Sequence, residues 1–160
     1  QIEKSNDCET PWVQLSTGCY WFATESQNLG KTWTEARAFC QRQRAHLVEI
    51  DSQEERRAID QRSSHYFWMG INDRAHEGRW LSDSHGEAPT FVFWGQNEPN
   101  DSGDEDCATF TGGGGHRWND IPCDLRADIL CEKPQSSREG QRGQAGAPES
   151  LLEDYIYDFE

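Results

Sequence analysis

Six cysteines constrain this chain more than any other feature of its sequence. They stand at Cys8, Cys19, Cys40, Cys107, Cys123 and Cys131. None forms a Cys-x-x-Cys pair or sits in a cluster with histidines, so disulfides fit better than a zinc site. An even number of cysteines in a chain of this size points to an oxidising compartment. The chain needs such cross-links. Only 34% of its 160 residues are hydrophobic, although seven Trp and seven Phe carry large buried area per residue. The length predicts one domain followed by a tail. Spacing alone does not choose among the pairings that six cysteines permit.

The net charge of -14 argues against a nucleic-acid partner, because phosphate binding needs a basic patch. No run of about 20 apolar residues is present, so no segment is expected to span a membrane. The chain begins without a charged-then-apolar leader. On the expectation that it is secreted and extracellular, Gln1 is the mature N-terminus.

Cys19-Tyr20-Trp21-Phe22 is predicted to be a strand, and Cys8 to Cys19 is a hairpin-sized closure. Thr32 to Glu35 is a capping-box pattern. Trp33, Ala36, Phe39, Cys40 and Gln43 follow at helical spacing, which predicts a helix to about Arg44. His46 to Ile50 alternates like a short strand. Ser52 to Glu55 is a second capping box, opening a helix to about Arg62 whose charges are expected on a solvated face. Tyr66 to Ile71 is predicted to be a core strand. Between Asn72 and Asp106 only Arg79 to Leu81 and Thr90 to Trp94 resemble strand or packing segments, and an irregular stretch of that length is often functional. Cys107 to Phe110 and Ala127 to Glu132 are the last predicted strands. Gly112 to Gly115 lie between them as a turn, with Trp118 starting the return. A phosphate cradle is excluded there, since no helix and no Lys-Ser/Thr follow.

Residues 135–160 read as a linker and acidic C-terminal tail. Leu151, Leu152, Tyr155, Ile156 and Phe159 have the spacing of a short amphipathic helix, too short to be stable alone. The tail carries six acids and two bases, so about -10 of the net charge falls on residues 1–134.

The acids gather in one place. From Glu98 to Asp106 there are five carboxylates, the amide of Asn100 and no basic residue. Unpaired in a folded loop, these like charges repel. A hard divalent cation relieves the repulsion, because calcium takes oxygen ligands from Asp, Glu, Asn and backbone carbonyls. Asn119 and Asp120 supply a second amide and carboxylate, next to Trp118. The plain alternative is a solvated acidic loop.

Trp68-Met69-Gly70-Ile71, Glu98-Pro99-Asn100 and Trp118-Asn119-Asp120, with Cys40, Cys107, Cys123 and Cys131 in that order, together resemble a C-type lectin domain. The resemblance covers about Cys8 to Pro134, so residues 1–134 are assigned to the domain. Cys8 and Cys19 look like the N-terminal hairpin of the long form, and the chain is also similar to molluscan lectins of the perlucin type. The resemblance implies an α+β fold: two helices, small antiparallel sheets and a long calcium-binding loop. It also implies the pairs Cys8–Cys19, Cys40–Cys131 and Cys107–Cys123. A sugar-binding calcium would be held by Glu98, Asn100, Glu105, Asn119 and Asp120, with a cis Glu98–Pro99 bond. A second, auxiliary calcium would be held by Asp73, Glu77, Asp101, Glu105 and Asp106.

Donor and acceptor inventories supply the implied mechanism. Carboxylates accept from sugar hydroxyls, amide NH2 groups donate to them, and two vicinal hydroxyls bind the ion directly. In the family, the Glu-Pro-Asn order favours equatorial 3- and 4-hydroxyls, as in mannose, N-acetylglucosamine or fucose-type sugars. One such site should bind at about millimolar strength, so avidity needs several copies. A homo-oligomer would have to form through surface patches or the tail. Asn100-Asp101-Ser102 is also an N-glycosylation sequon, expected to be unoccupied because a glycan would block the pocket. No histidine has metalloprotease spacing or an evident nucleophile partner, and no enzymatic activity is expected. Tyr155 and Tyr157 are expected to be solvated tail tyrosines, and Trp118 a core anchor rather than a sugar-stacking face. The alternative role is an acidic structural or biomineral-associated matrix protein with secondary sugar binding.

Overall fold

A computed structural model of the chain describes residues 8–16, 18–23, 30–100 and 105–134. The tail reading and Asp101 lie outside the described residues. The first antiparallel sheet has the order β1 (Val13–Leu15), β2 (Gly18–Phe22), β8 (Leu130–Pro134), β3 (His46–Leu47). Strand β2 therefore lies between β1 and the last strand, with Trp21 opposite Cys131. The second antiparallel sheet has the order β5 (Leu81–Ser82), β4 (Tyr66–Asn72), β6 (Cys107–Thr111), β7 (Asn119–Ile121).

Two helices follow from local sequence. Helix α1 (Trp33–Arg42) starts at Thr32, whose side chain accepts from the Glu35 N–H, while the Glu35 side chain accepts from the Thr32 N–H. The helix ends two residues before the expected Arg44. Gln43 caps it, and Arg44 turns to φ 61°. Helix α2 (Gln53–Arg62) has Ser52 as its N-cap, but the second box is only half formed. Glu55 does not return to the Ser52 N–H. Its Oε1 accepts from the Asp51 N–H, and its Oε2 accepts from the Tyr20 hydroxyl. Glu55 is 3% exposed, so the expected solvated face of α2 does not include it.

Alternating strand β4 sends residues into two cores. Trp68 joins Trp33, Cys40, Leu47, Cys107 and Cys131 on one side. Phe67, Met69 and Ile71 join Val48, Ile59, Phe110 and Trp118 on the other. Gly70 is required where β4 passes β3, since a Cβ there would lie 2.5 Å from the Leu47 carbonyl oxygen. The disulfides are Cys8–Cys19, Cys40–Cys131 and Cys107–Cys123, the pairs the resemblance implies. The middle one closes a sequence separation of 91 residues, and in the chain-entropy model a loop of that length stabilises by about 4–5 kcal/mol.

Strand lengths depart from expectation at the edges. In the segment from His46 to Ile50 the strand covers only His46 and Leu47, although the Val48 N–H donates to the Leu130 carbonyl and the Val48 carbonyl accepts from the Gly70 N–H. Strand β8 starts at Leu130, and Ala127 and Asp128 make isolated bridges to Lys31 and Phe67 instead. Thr90 to Phe93 form no strand, and Trp94 makes a single bridge to Trp118. The bridges at Lys31 and Trp118 fall outside the named strands, so pairing there stops after one residue.

Candidate functional site

The segment 90–98 is held by aromatic packing instead of a ladder. Trp118 is 1% exposed, a core anchor as its neighbours suggested. Trp94 meets its ring edge-on at 5.7 Å between centroids, Phe91 at 6.0 Å, and Trp80 packs on Trp94 at 4.9 Å. Two backbone bonds lock the register: Trp118 N–H to the Phe93 carbonyl, and Gly95 N–H to the Trp118 carbonyl. Phe93 lies between the guanidinium groups of Arg56 and Arg117, at 4.4 and 4.1 Å from its centroid. From Gly95 the chain turns, with Asn97 at φ 66° and the Glu98 N–H returning to the Gly95 carbonyl. Pinning the loop to Trp118 in this way delivers Glu98 to the neighbourhood of Asn119 and Asp120.

There the residues converge. The Glu98–Pro99 bond is cis, as the resemblance implies. The Asn100 N–H donates to Asp120 Oδ1 at 3.1 Å, and Asn100 Nδ2 donates to Glu98 Oε2 at 3.3 Å. Asp120 is 1% exposed and faces Ala108 across the β6–β7 ladder, whose base the Cys107–Cys123 bridge ties. Glu98 Oε1 is buried with no hydrogen-bond partner among the described residues. Burial, a side-chain hydrogen bond with Asp120, and the negative charges of Asp120 and Glu105 push the Glu98 carboxyl up to about 7. Glu105 is thus close enough to act on Glu98. Asn119 stands exposed at the first position of β7, with its carbonyl accepting from Thr109 Oγ1 at 3.4 Å.

A second group forms where β4 ends. Asp73, Glu77 and Asp106 bring one carboxylate oxygen each to within 4.8 Å of one another. The Asp73 N–H donates to the Asp106 carbonyl, and Asp73 Oδ2 accepts from the Gly78 N–H at 2.8 Å. Asp73 is 2% exposed, and its Oδ1 has no partner among the described residues. A buried acid with an unsatisfied oxygen beside two more carboxylates fits a hard cation with oxygen ligands. So does the first group, whose potential ligand atoms are all oxygen. The two groups share one short segment, since Glu105 acts on Glu98 and Asp106 belongs to the second.

Sequence reasoning missed one titratable cluster. Glu132 Oε1 accepts from the Glu49 N–H, its Oε2 lies 3.4 Å from the Tyr20 hydroxyl, and the same hydroxyl donates to Glu55. Burial first, and the negative charge of Glu132 next, push Glu55 up to about 9. Burial pushes Glu132 up to about 7, and burial with the two carboxylates also raises Tyr20. The sequence did carry a signal for Glu55. It lies four residues before Ile59, the other buried residue of α2, and hence on the same helical face.

Residues 29–133 match the family model of the lectin C-type domain. The C-type lectin domain family 17, member A protein of Homo sapiens is 40% identical over 130 residues, covering 79% of this chain and 32% of that protein. The CD209 antigen-like protein C of Mus musculus is 36% identical over 134 residues, covering 81% of this chain and 71% of that protein. The chain thus spans about a third of the length of the first relative and most of the second. Among solved structures, the mouse scavenger receptor C-type lectin carbohydrate-recognition domain superposes with a TM-score of 0.72 at 28% identity, covering 81% of this chain and 98% of that one.

Proposed function

The chain belongs to the C-type lectin domain family, and from that premise we propose that it is a secreted, calcium-dependent carbohydrate-binding protein rather than an enzyme. The observation that carries the proposal is the convergence of Glu98, Asn100 and Asp120 around a buried carboxylate oxygen that the described protein leaves unpaired. Glu98, Asn100, Glu105, Asn119 and Asp120 would hold the sugar-binding ion. Asp73, Glu77 and Asp106, with Glu105 and Asp101, would hold an auxiliary one. When bound, calcium supplies open coordination positions for two vicinal sugar hydroxyls.

The side chains then decide which hydroxyls fit. Glu98 and Glu105 present only acceptors, so each accepts a hydrogen bond from a sugar hydroxyl; Asn100 and Asn119 donate NH2 hydrogen bonds to hydroxyl lone pairs. The Asn100 amide already sits beside Glu98 Oε2, which places a donor and an acceptor next to each other. That alternation suits a pair of equatorial hydroxyls such as the 3- and 4-hydroxyls of mannose or N-acetylglucosamine, or the vicinal equatorial pair of a fucose-type sugar. Charge-assisted hydrogen bonds of this kind are stronger than neutral ones.

A glycan array run in calcium and again in EDTA tests the reading. Mannose-type glycans should be retained in calcium and lost in the chelator. Retention unchanged by EDTA, or no retention of any glycan at millimolar calcium, would overturn it.

A further inference from the structure

Exposure alternates along the stretch that enters β7: Arg117 and Asn119 are exposed, while Trp118 and Asp120 are buried. In extended chain, residues two apart share a face and stand about 7 Å from each other. Arg117 therefore lies on the face that presents Asn119, one of the amides proposed to contact sugar. It also borders Glu98. A Cβ placed on Gly95 would be 3.5 Å from Glu98 Cγ and 3.7 Å from Arg117 Cβ.

The guanidinium does not turn to that carboxylate. It stacks on Phe93, 4.1 Å from the ring centroid, and its Nη1 donates to the Trp94 carbonyl at 3.3 Å. These contacts fix the plane of the group and use one of its five N–H donors. The others have no acceptor among the described residues, and Arg117 forms no ion pair there. Arg37, by contrast, is committed through its Nε to both oxygens of Asp83. Arg56, on the other face of Phe93, also forms no ion pair among the described residues, and its buried Nη1 has no hydrogen-bond partner there. Two guanidinium groups thus flank one ring without a counter-ion, in a chain whose net charge is -14. A held guanidinium with an exposed donor edge matches the oxygens of a carboxylate or a sulfate ester.

We infer that Arg117 is a specificity residue for acidic glycans, pairing with an anionic substituent, a sulfate ester or a carboxylate, carried beside the diol that the calcium site holds. The inference rests on the lectin reading above and adds a charge requirement to it. On a pyranose held by its 3- and 4-hydroxyls, the groups at positions 2 and 6 flank the diol, one at each end. Either can meet a cation that stands one strand step from Asn119. Glu98, Glu105 and Asp120 would repel such a group in the ion-free protein, so its binding is expected only with calcium present.

Calorimetry on the full chain in saturating calcium tests this with methyl α-mannoside, its 2-sulfate, its 6-sulfate and the corresponding mannosiduronate. The quantity read is the affinity of each anionic sugar relative to the neutral one, a ratio that cancels any general change in the loop. At least one anionic sugar should bind about two- to fivefold tighter, the span expected of one exposed charge pair, and the winner tells sulfate from carboxylate. The ratio should fall to one or below in Arg117→Gln and persist in part in Arg117→Lys. In the wild type it should decline as sodium chloride rises from about 0.05 to about 0.5 M. The Arg117 Nε–H resonance, identified by its absence from R117Q, should move with the preferred anionic sugar and stay still with the neutral one. A wild-type ratio of one or below for every anionic sugar, or a ratio indifferent to R117Q or to salt, would overturn the inference, while binding of the neutral mannoside keeps the lectin reading intact. Failure of all four sugars to bind overturns the lectin reading itself, and this inference with it.

Discussion

Asn100 and Glu98 show what single atoms decide in this protein. Asn100→Asp keeps the shape of the side chain but turns a donor into an acceptor and adds a charge beside Glu98 and Asp120. One hydrogen bond to a charged group is worth about 1.5–3 kcal/mol. Mannose affinity, measured by calorimetry in saturating calcium, should therefore fall about tenfold or more. Unchanged affinity would remove Asn100 from the sugar contact. Glu98 yields a second expectation. Its carboxyl is raised from 4.5 to about 7 in the ion-free protein, so the protonated form is the stabilised one. That stabilisation is complete below about pH 4.5 and is lost as pH rises through about 7. A cation at this position requires the ionised form. Calcium binding at about pH 6 should release close to one proton, read as a dependence of the calorimetric enthalpy on buffer ionisation. Glu98→Gln should abolish that dependence.

Among the elements, α2 matters more than its polar sequence implied. Its Glu55 reaches inward and connects, through Tyr20, to Glu132 on β8. Both carboxyls are raised above the ordinary value of 4.5, Glu132 to about 7 and Glu55 to about 9. The contribution to stability is thus full below about pH 4.5 and declines as pH rises, through about 7 and then about 9. In EDTA, the urea midpoint of the wild-type domain should fall between about pH 6 and pH 9. Glu55→Gln mimics the protonated carboxyl and should flatten that decline. A variant that declines as steeply as the wild type would show that the cluster is not the titrating element. The long segment from 83 to 98 teaches a related lesson. It lacks a ladder, yet the contacts among Phe91, Trp94, Trp80 and Trp118 hold it against β7.

The whole domain is stapled at three points and clamped, on the proposed reading, at a fourth. The cross-link between Cys40 and Cys131 joins α1 to the last strand, while Cys107–Cys123 ties the base of the β6–β7 hairpin that presents Asn119 and Asp120. Calcium gathers Glu98, Asn100, Glu105, Asn119 and Asp120 from two segments on the proposed reading, so it should stabilise the fold by mass action. At a hundredfold excess over the dissociation constant the gain is about 2.7 kcal/mol. The thermal midpoint should therefore rise by about 5–15 °C when calcium replaces EDTA. A midpoint indifferent to calcium would exclude a clamp at these loops.

The amino-acid sequence by itself determined what depends on local chemistry and on the joint order of a few rare motifs. The caps at Thr32 and Ser52, the core strand from Tyr66, the cysteine framework and the acidic run after Glu98 were all legible. The caps, the strand and the acidic run are specified by residue types at fixed spacing, whereas the cysteine pairing was legible only through the resemblance. Only the tertiary structure decided where Glu55 points, because a helix offers a buried face only after something packs on it, and β2 with β8 supplied that surface. The resemblance implied that Glu98 and Asp120, 22 positions apart in sequence, meet at one ion; the tertiary structure decided how they meet, with Trp118 holding Phe93 and Gly95 by backbone bonds.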